Sequence, residues 1–92
     1  MIEISNWAIM NFDGIYSDLT DLEIRLSGCV QNDPRFVPGS FIITSKIISS
    51  SGRSIVTENG SHYYLAGAPE KSWVSYCKEN GIQVNFNNPV DI

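Results

Sequence analysis

Few side chains in this sequence could carry chemistry, and they are widely spaced. The chain has one histidine, His62, and two cysteines, Cys29 and Cys77. A zinc site takes three or four nitrogen and sulfur ligands, and a catalytic thiol needs a nearby histidine base within a recognisable local motif. Neither pattern surrounds these three residues, so we expect no metal ion and no cofactor. Both cysteines are interpreted as free thiols that serve as small apolar residues in or near the core.

Acidic residues are concentrated in the first part of the chain. Residues 1–34 hold six acids and one base, for a net charge of −5, whereas residues 35–92 hold four acids and five bases, for a net charge of +1. Four of these acids form a run without an intervening base: Asp13, Asp18, Asp21 and Glu23. Their spacing differs from that of a calcium-binding loop, so a solvated acidic edge is the interpretation. The overall charge of −4 disfavours binding to nucleic acid or to an anionic membrane.

One loop combines residues that suit recognition of a partner or a small anion. Asp33-Pro34-Arg35-Phe36 lies in a proline-flanked stretch, where Arg35 offers a planar set of donors and Phe36 an apolar anchor. The binding residues predicted together with this loop are Ser45 on the next strand and His62 and Tyr64 on a later one. In the alternative, purely structural interpretation, Phe36 covers the core and Arg35 pairs with Asp33.

The elements that must position these residues follow from the hydrophobic pattern. An apolar, β-prone composition predicts a strand at residues 2–10, and alternation of apolar and polar residues predicts strands at 22–30 and 41–49. Hairpin signals after residue 49 and at residues 59–60 predict two further strands, at residues 54–58 and 61–65. Residues 31–40 contain two prolines and a glycine and are therefore predicted to form a loop. Asn59-Gly60 predicts a hairpin with a type I′ turn, in which both central residues have positive φ. The last three of these strands should form an antiparallel meander.

The pattern changes near the C-terminal end. Pro69 suits a first helical position and Gly81 a C-terminal cap, and Trp73 and Cys77 recur at helical spacing between them. We predict a helix over residues 69–80 and a further short strand over residues 82–86, followed by a tail. The fold class is therefore α+β: a small antiparallel β-sheet, a meander or a curled half-barrel, with one C-terminal α-helix packed on it. Residues 1–92 suffice for a single domain with one core.

The strand at residues 41–49 has large apolar residues on both faces. Simple alternation places Phe41, Ile43 and Ile47 on one face, and Ile42 and Ile48 on the other. One helix covers only one face of a sheet, so the other must be covered by closure into a barrel or by a second copy of the chain. We therefore expect a homo-oligomer, a dimer or higher.

Several short stretches also resemble a known group of sequences. They are Gly28-x-Val30, Pro34-Arg35-Phe36, Gly39, Ile43-Thr44-Ser45 and Val56-Thr57-x-x-Gly60-Ser61-x-Tyr63-x-Leu65. This pattern is similar to that of short uncharacterised proteins of phages, prophages and mobile gene cassettes, and it spans about half of the chain. The resemblance implies an accessory single-domain protein without assigned catalytic residues.

The function expected from these observations is a small non-catalytic binding module that belongs to a mobile element and acts as a homo-oligomer, with a further protein partner also conceivable. Two alternatives remain open. One is an acidic inhibitor that occupies the basic groove of a host protein, and the other is a small enzyme that uses His62 with a carboxylate. The first residues lack the pattern of a secretory signal, and no stretch approaches the length of a membrane span, so we expect a cytoplasmic protein without membrane contact.

Overall fold

Five strands form a closed barrel, and one helix packs against it. The computed structural model describes residues 2–11, 13–17 and 23–90. The elements are β1 (Ile2–Asn11), β2 (Ile24–Gln31), β3 (Phe41–Ser51), β4 (Ser54–Thr57), β5 (His62–Ala66) and α1 (Lys71–Glu79). The predicted α+β class, an antiparallel meander with a C-terminal helix packed on it, is confirmed. The predicted start of the second strand at Leu22, and the acids Asp18 and Asp21, lie outside the described residues.

The barrel closes through a parallel pair of strands. Consecutive strands pair antiparallel from β1 to β5, so the first and the fifth strand of the meander run in the same direction. They meet in parallel register, with Ile2 opposite Tyr63 and Ile4 opposite Leu65. The sheet therefore curls completely rather than stopping at a half-barrel.

Apolar side chains from neighbouring strands meet inside this barrel. Ile4 lies opposite Val30 on one side and Leu65 on the other, and all three are buried. Further buried strand residues of this core include Ile9, Ile24, Leu26, Ile47, Ile55 and Tyr63. Gly28 sits in the same wall, where an added Cβ would approach both Ile4 Cγ1 and the Ser5 carbonyl oxygen to 2.7 Å. The close approach of β1 to β2 thus depends on a residue without a side chain.

A β-bulge in β3 overturns the predicted assignment of its faces. Ile43 lies opposite Ser27 and Lys46 opposite Arg25, so β3 has one residue more than β2 between these two pairs. The additional residue reverses the alternation of side chains along the strand. Ile47 is consequently buried, whereas Ile43 is 45% exposed. The prediction that Ile43 and Ile47 share a face is wrong for this reason.

The turn between β4 and β5 also differs in detail from its prediction. A hairpin is confirmed here, closed by a hydrogen bond from the Thr57 amide to the Ser61 carbonyl at 3.0 Å. Only Gly60 has positive φ, at 85°, and its amide donates to the Thr57 carbonyl at 2.9 Å. The connection is a longer loop in which glycine takes the left-handed position, so the predicted two-residue type I′ turn is wrong.

An aromatic contact holds the helix against β1. Trp73 of α1 and Trp7 of β1 are both fully buried, and their ring centroids are 5.6 Å apart. The predicted packing of the helix on the sheet is confirmed, and Trp73 is the residue through which it contacts β1. Among the described residues, no helix is long and apolar enough to cross a membrane.

The predicted strand at residues 82–86 is absent, since these residues have no strand pairing. The barrel is already closed, and this segment instead follows the helix directly, where the Ile82 amide donates to the Cys77 carbonyl at 2.8 Å. Ile82 and Val84 pack individually against the core. Apolar alternation here serves packing rather than sheet formation.

Candidate functional site

The predicted recognition loop connects β2 to β3 at one end of the barrel. In this loop, Arg35 and Asp33 form a bidentate ion pair. Arg35 Nη2 donates to Asp33 Oδ2 at 2.7 Å, and Arg35 Nε donates to Asp33 Oδ1 at 3.0 Å. The Arg35 backbone amide also donates to Oδ1 at 3.0 Å. The Asp33 side chain is only 1% exposed, whereas that of Arg35 is half exposed. The alternative in which Arg35 pairs with Asp33 is therefore confirmed.

This ion pair shifts the pKa values of both partners away from neutrality. The side-chain hydrogen bonds from Arg35 lower the pKa of the Asp33 carboxyl below its usual value, against the opposing effect of its burial. Hydrogen bonds from Arg35 to Asp33 and to Tyr63 raise the pKa of the guanidinium. Both groups are therefore charged at neutral pH, and the loop carries no net charge.

Arg35 also connects the loop to β5. Its Nη2 donates to the Ser61 hydroxyl at 3.3 Å and to the Tyr63 hydroxyl at 3.4 Å. Sequence reasoning missed both residues and selected their neighbours, His62 and Tyr64. The signal that could have found Tyr63 is its alternation with Leu65, which places both residues on the inner face of the barrel.

Phe36 projects outward instead of covering the core, so that part of the alternative interpretation is wrong. Its ring lies beside the guanidinium of Arg35, with 5.5 Å between Cζ and the ring centroid. Phe36 lines an open surface pocket of about 500 Å³ together with both prolines of the loop, Pro34 and Pro38. The structure thus brings Arg35 and Phe36 together on one exposed surface.

The other three predicted site residues lie apart from this contact. The Ser45 hydroxyl accepts a hydrogen bond from the Asn59 amide at 3.3 Å, which ties β3 to the turn between β4 and β5. His62 and Tyr64 are exposed on the outer side of β5. Within the described residues, His62 makes no hydrogen bond to another side chain, and no three metal-binding side chains are grouped. Cys29 and Cys77 are free thiols, as predicted, and burial raises the pKa of Cys77.

Exposed apolar residues are concentrated on the loop and the first half of β3, which we call the arm (residues 32–45). They include Val37, which is 75% exposed, Phe41, which is 58% exposed, and Ile43. Residues 41–43 pair with β2 on one side, whereas β4 pairs with β3 only from Ile47 onward. In the described part of the chain, the other edge of this half-strand therefore has no partner strand.

Comparison of the chain with protein-family models, with curated proteins and with solved structures found no match to any of them. The geometry of these surfaces is therefore the basis for inferring a function.

Proposed function

We propose that this chain is a small non-catalytic binding module that associates with a second copy of itself through the arm. The observation that carries the proposal is the half-strand at residues 41–43, which combines an edge that has no partner strand among the described residues with exposed apolar side chains at Phe41 and Ile43. A free strand edge is a template for pairing with another strand, and an adjacent apolar surface adds the hydrophobic contribution.

Symmetry favours a second copy of the chain as the partner that pairs with the arm. Two identical edge strands can pair antiparallel about a two-fold axis, so that Phe41 and Ile43 of one copy meet the same surface of the other. Such an interface satisfies the backbone groups of both edges and covers both apolar surfaces in one contact. Closed two-fold dimers are the commonest oligomers of soluble proteins.

The charge distribution also supports a second copy of the chain as the partner of the arm. The whole chain has a net charge of −4, and two copies therefore repel each other in most orientations. Residues 32–45 contain only Asp33 and Arg35 as charged residues, and these two form an ion pair. The arm is thus a neutral surface on an acidic molecule, where two copies approach with the least repulsion.

The internal contacts of the arm favour a preformed surface. Arg35 holds the loop to Ser61 and Tyr63, and the Ser45–Asn59 hydrogen bond holds the base of the arm. A surface that is already ordered loses less conformational entropy on association than a flexible loop does. We therefore assign Arg35 and Ser45 to positioning of the arm and Phe36 to its binding surface. The predicted roles of His62 and Tyr64 in binding stay predictions.

We further propose that the module is a cytoplasmic accessory protein of a mobile element. The resemblance described above supports the mobile-element origin, and the two free thiols support a reducing compartment. The exposed position of His62 without a carboxylate partner among the described residues favours binding over catalysis.

Size-exclusion chromatography with light scattering tests the proposed self-association. Two residues of β3 provide a matched pair of variants. Ile43 is 45% exposed on the arm. Ile48 is 47% exposed on the same strand, in the part of β3 that pairs with β4. We expect a mass of about 20 kDa, twice the 10.2 kDa of one chain, for the wild type and for Ile48→Ser at tens of micromolar. Ile43→Ser should have the mass of one chain. A wild type of about 10 kDa at every concentration, or equal masses for the two variants, would overturn the proposal.

A further inference from the structure

A second surface lies at the opposite end of the barrel from the arm. A pocket of about 440 Å³ opens between the turn that joins β3 to β4, the segment after β5, and α1. Its apolar lining includes Pro69, Val74 and Phe86. Pockets of this size and character bind small organic molecules.

The charged residues that line this pocket are all positive. The chain has six lysines and arginines, and three of them, Arg53, Lys71 and Lys78, line this one pocket. No aspartate or glutamate is among the lining residues, although acids outnumber bases in the chain by ten to six. Among the described residues, none of these three cations forms an ion pair with a carboxylate. The pocket is therefore a local site of uncompensated positive charge on an acidic protein.

The helix presents its two lysines along one line. Lys71 and Lys78 are seven residues apart, which is close to two helical turns and separates their backbones by about 10 Å. Val74 lies between them on the same face, so an apolar contact is flanked by a positive charge at each end. Both lysines are exposed, and their ammonium groups are free to move toward a ligand.

Arg53 is fixed in place by neutral acceptors. Its Nε donates to the Leu65 carbonyl at 2.7 Å, and its Nη1 and Nη2 donate to the carbonyls of Phe86 and Gly67 at 2.8 Å and 2.5 Å. Its Cζ also lies 5.8 Å from the centroid of the Trp7 ring. Backbone carbonyls orient the guanidinium without neutralising its charge. A positive group that is already ordered attracts an anion with little further loss of conformational entropy.

We propose that this pocket binds a small organic anion with an apolar ring or short chain. The apolar part lies against Val74 and Phe86, and the carboxylate or equivalent anionic group faces Lys71, Lys78 and Arg53. The inference does not depend on self-association, because the pocket and the arm are formed by opposite ends of the strands.

The test uses 1-naphthoate as the probe, with its neutral counterpart 1-naphthalenemethanol and with inorganic phosphate as controls. Titration into the ¹⁵N-labelled full chain is followed through the backbone amides of α1, Gly67 and Phe86. We expect saturable shifts of these amides with 1-naphthoate, at least about 3-fold weaker binding of the alcohol, and no saturation with phosphate, which lacks the apolar part. Absence of saturable shifts with 1-naphthoate, or equal binding of the acid and the alcohol, would overturn the proposal.

A pair of charge variants locates the anion. Lys71→Gln/Lys78→Gln removes two positive charges from exposed helix positions, and binding should weaken by about 3- to 10-fold, since each exposed charge contact contributes a factor of up to about five. The control, Gln31→Glu/Asn59→Asp, changes the net charge by the same amount at exposed positions outside the arm, on the other end of the barrel. It should leave the affinity within about 2-fold of the wild type. Equal weakening in both variants would show a general charge effect and would contradict the proposed site.

Discussion

Trp7 of β1 and Trp73 of α1 pack against each other, with their ring centroids 5.6 Å apart and their planes inclined by 51°. Each indole also reaches a backbone carbonyl: Nε1 of Trp7 donates to Gly67 at 3.2 Å, and Nε1 of Trp73 donates to Ser17 at 3.5 Å. This aromatic pair thus belongs to the same buried core as the apolar residues of the strands. It joins the helix to both the first strand and the segment that follows it.

Replacement of Trp73 should weaken the whole fold. Because Trp73 is fully buried, Trp73→Ala leaves a large cavity between the helix and β1 and should cost about 3–5 kcal/mol. A domain of this size has a stability of only about 5–10 kcal/mol, so the variant should be marginally folded. Urea denaturation followed by circular dichroism measures the change. Ser75→Ala, an exposed change in the same helix, should stay within about 0.5 kcal/mol of the wild type. A similar cost for both variants would contradict the central place of Trp73.

Gly28 should tolerate replacement by a larger residue less well than Gly60. A methyl group there would approach Ile4 and the Ser5 carbonyl to 2.7 Å, whereas one at Gly60 would meet nothing within 4 Å. Both glycines have positive φ, so the comparison separates the steric contact from much of the backbone effect. Gly28→Ala should cost about 1–3 kcal/mol more than Gly60→Ala. Thermal unfolding of the two variants measures this difference, and equal midpoints would show that β1 and β2 separate without cost at this point.

Stability should depend on pH through the pair of Asp33 and Arg35. Arg35 lowers the pKa of the folded-state carboxyl below its unfolded value of about 4, so the contribution of this pair is fully present above that value. It is lost as the pH falls from about 4 through the lower pKa of the folded state. The difference in urea stability between wild type and Asp33→Asn should therefore shrink over that range. A difference that is independent of pH between 6 and 2 would show that the carboxylate charge contributes nothing.

The two thiols should react at different rates in the folded protein. Cys77 is buried in the helix interface, and burial raises the pKa of its thiol, which leaves less of the reactive thiolate. Cys29 is half-buried on β2. At pH 8, a water-soluble disulfide reagent should modify Cys29 first and Cys77 only on the timescale of unfolding. Cys29→Ser and Cys77→Ser assign each phase of the reaction, and faster modification of Cys77 would mean that the helix opens readily.

The sequence was most informative where one physical rule decides the outcome. Apolar alternation located the strands, and the spacing of Trp73 and Cys77 located the buried face of the helix. The face of Ile43 could not be predicted, because a bulge depends on the register between two strands and not on the residues of one strand. The strand predicted at residues 82–86 was wrong for a related reason, since the barrel had already closed without it.

The contacts at the candidate surfaces also differ in how well the sequence predicts them. The contact between Arg35 and Asp33 is local and could be anticipated from two residues that are almost adjacent in the sequence. The partners of Arg35 on β5, and the grouping of Arg53 with Lys71 and Lys78, connect residues that are far apart in the chain. Such groupings follow from closure of the barrel and from the position of the helix, neither of which a pattern within a single segment specifies.

Intermolecular contacts between differently labelled copies test the central claim most directly. A mixture of ¹³C-labelled and unlabelled chains at about 1 mM allows isotope-filtered NMR to detect only contacts between two copies. We predict intermolecular contacts of the Phe41 and Ile43 side chains with the arm of the second copy, and their loss in Ile43→Ser. Intermolecular contacts that involve only other surfaces, or a complete absence of such contacts together with the tumbling rate of a 10-kDa monomer, would contradict self-association through the arm.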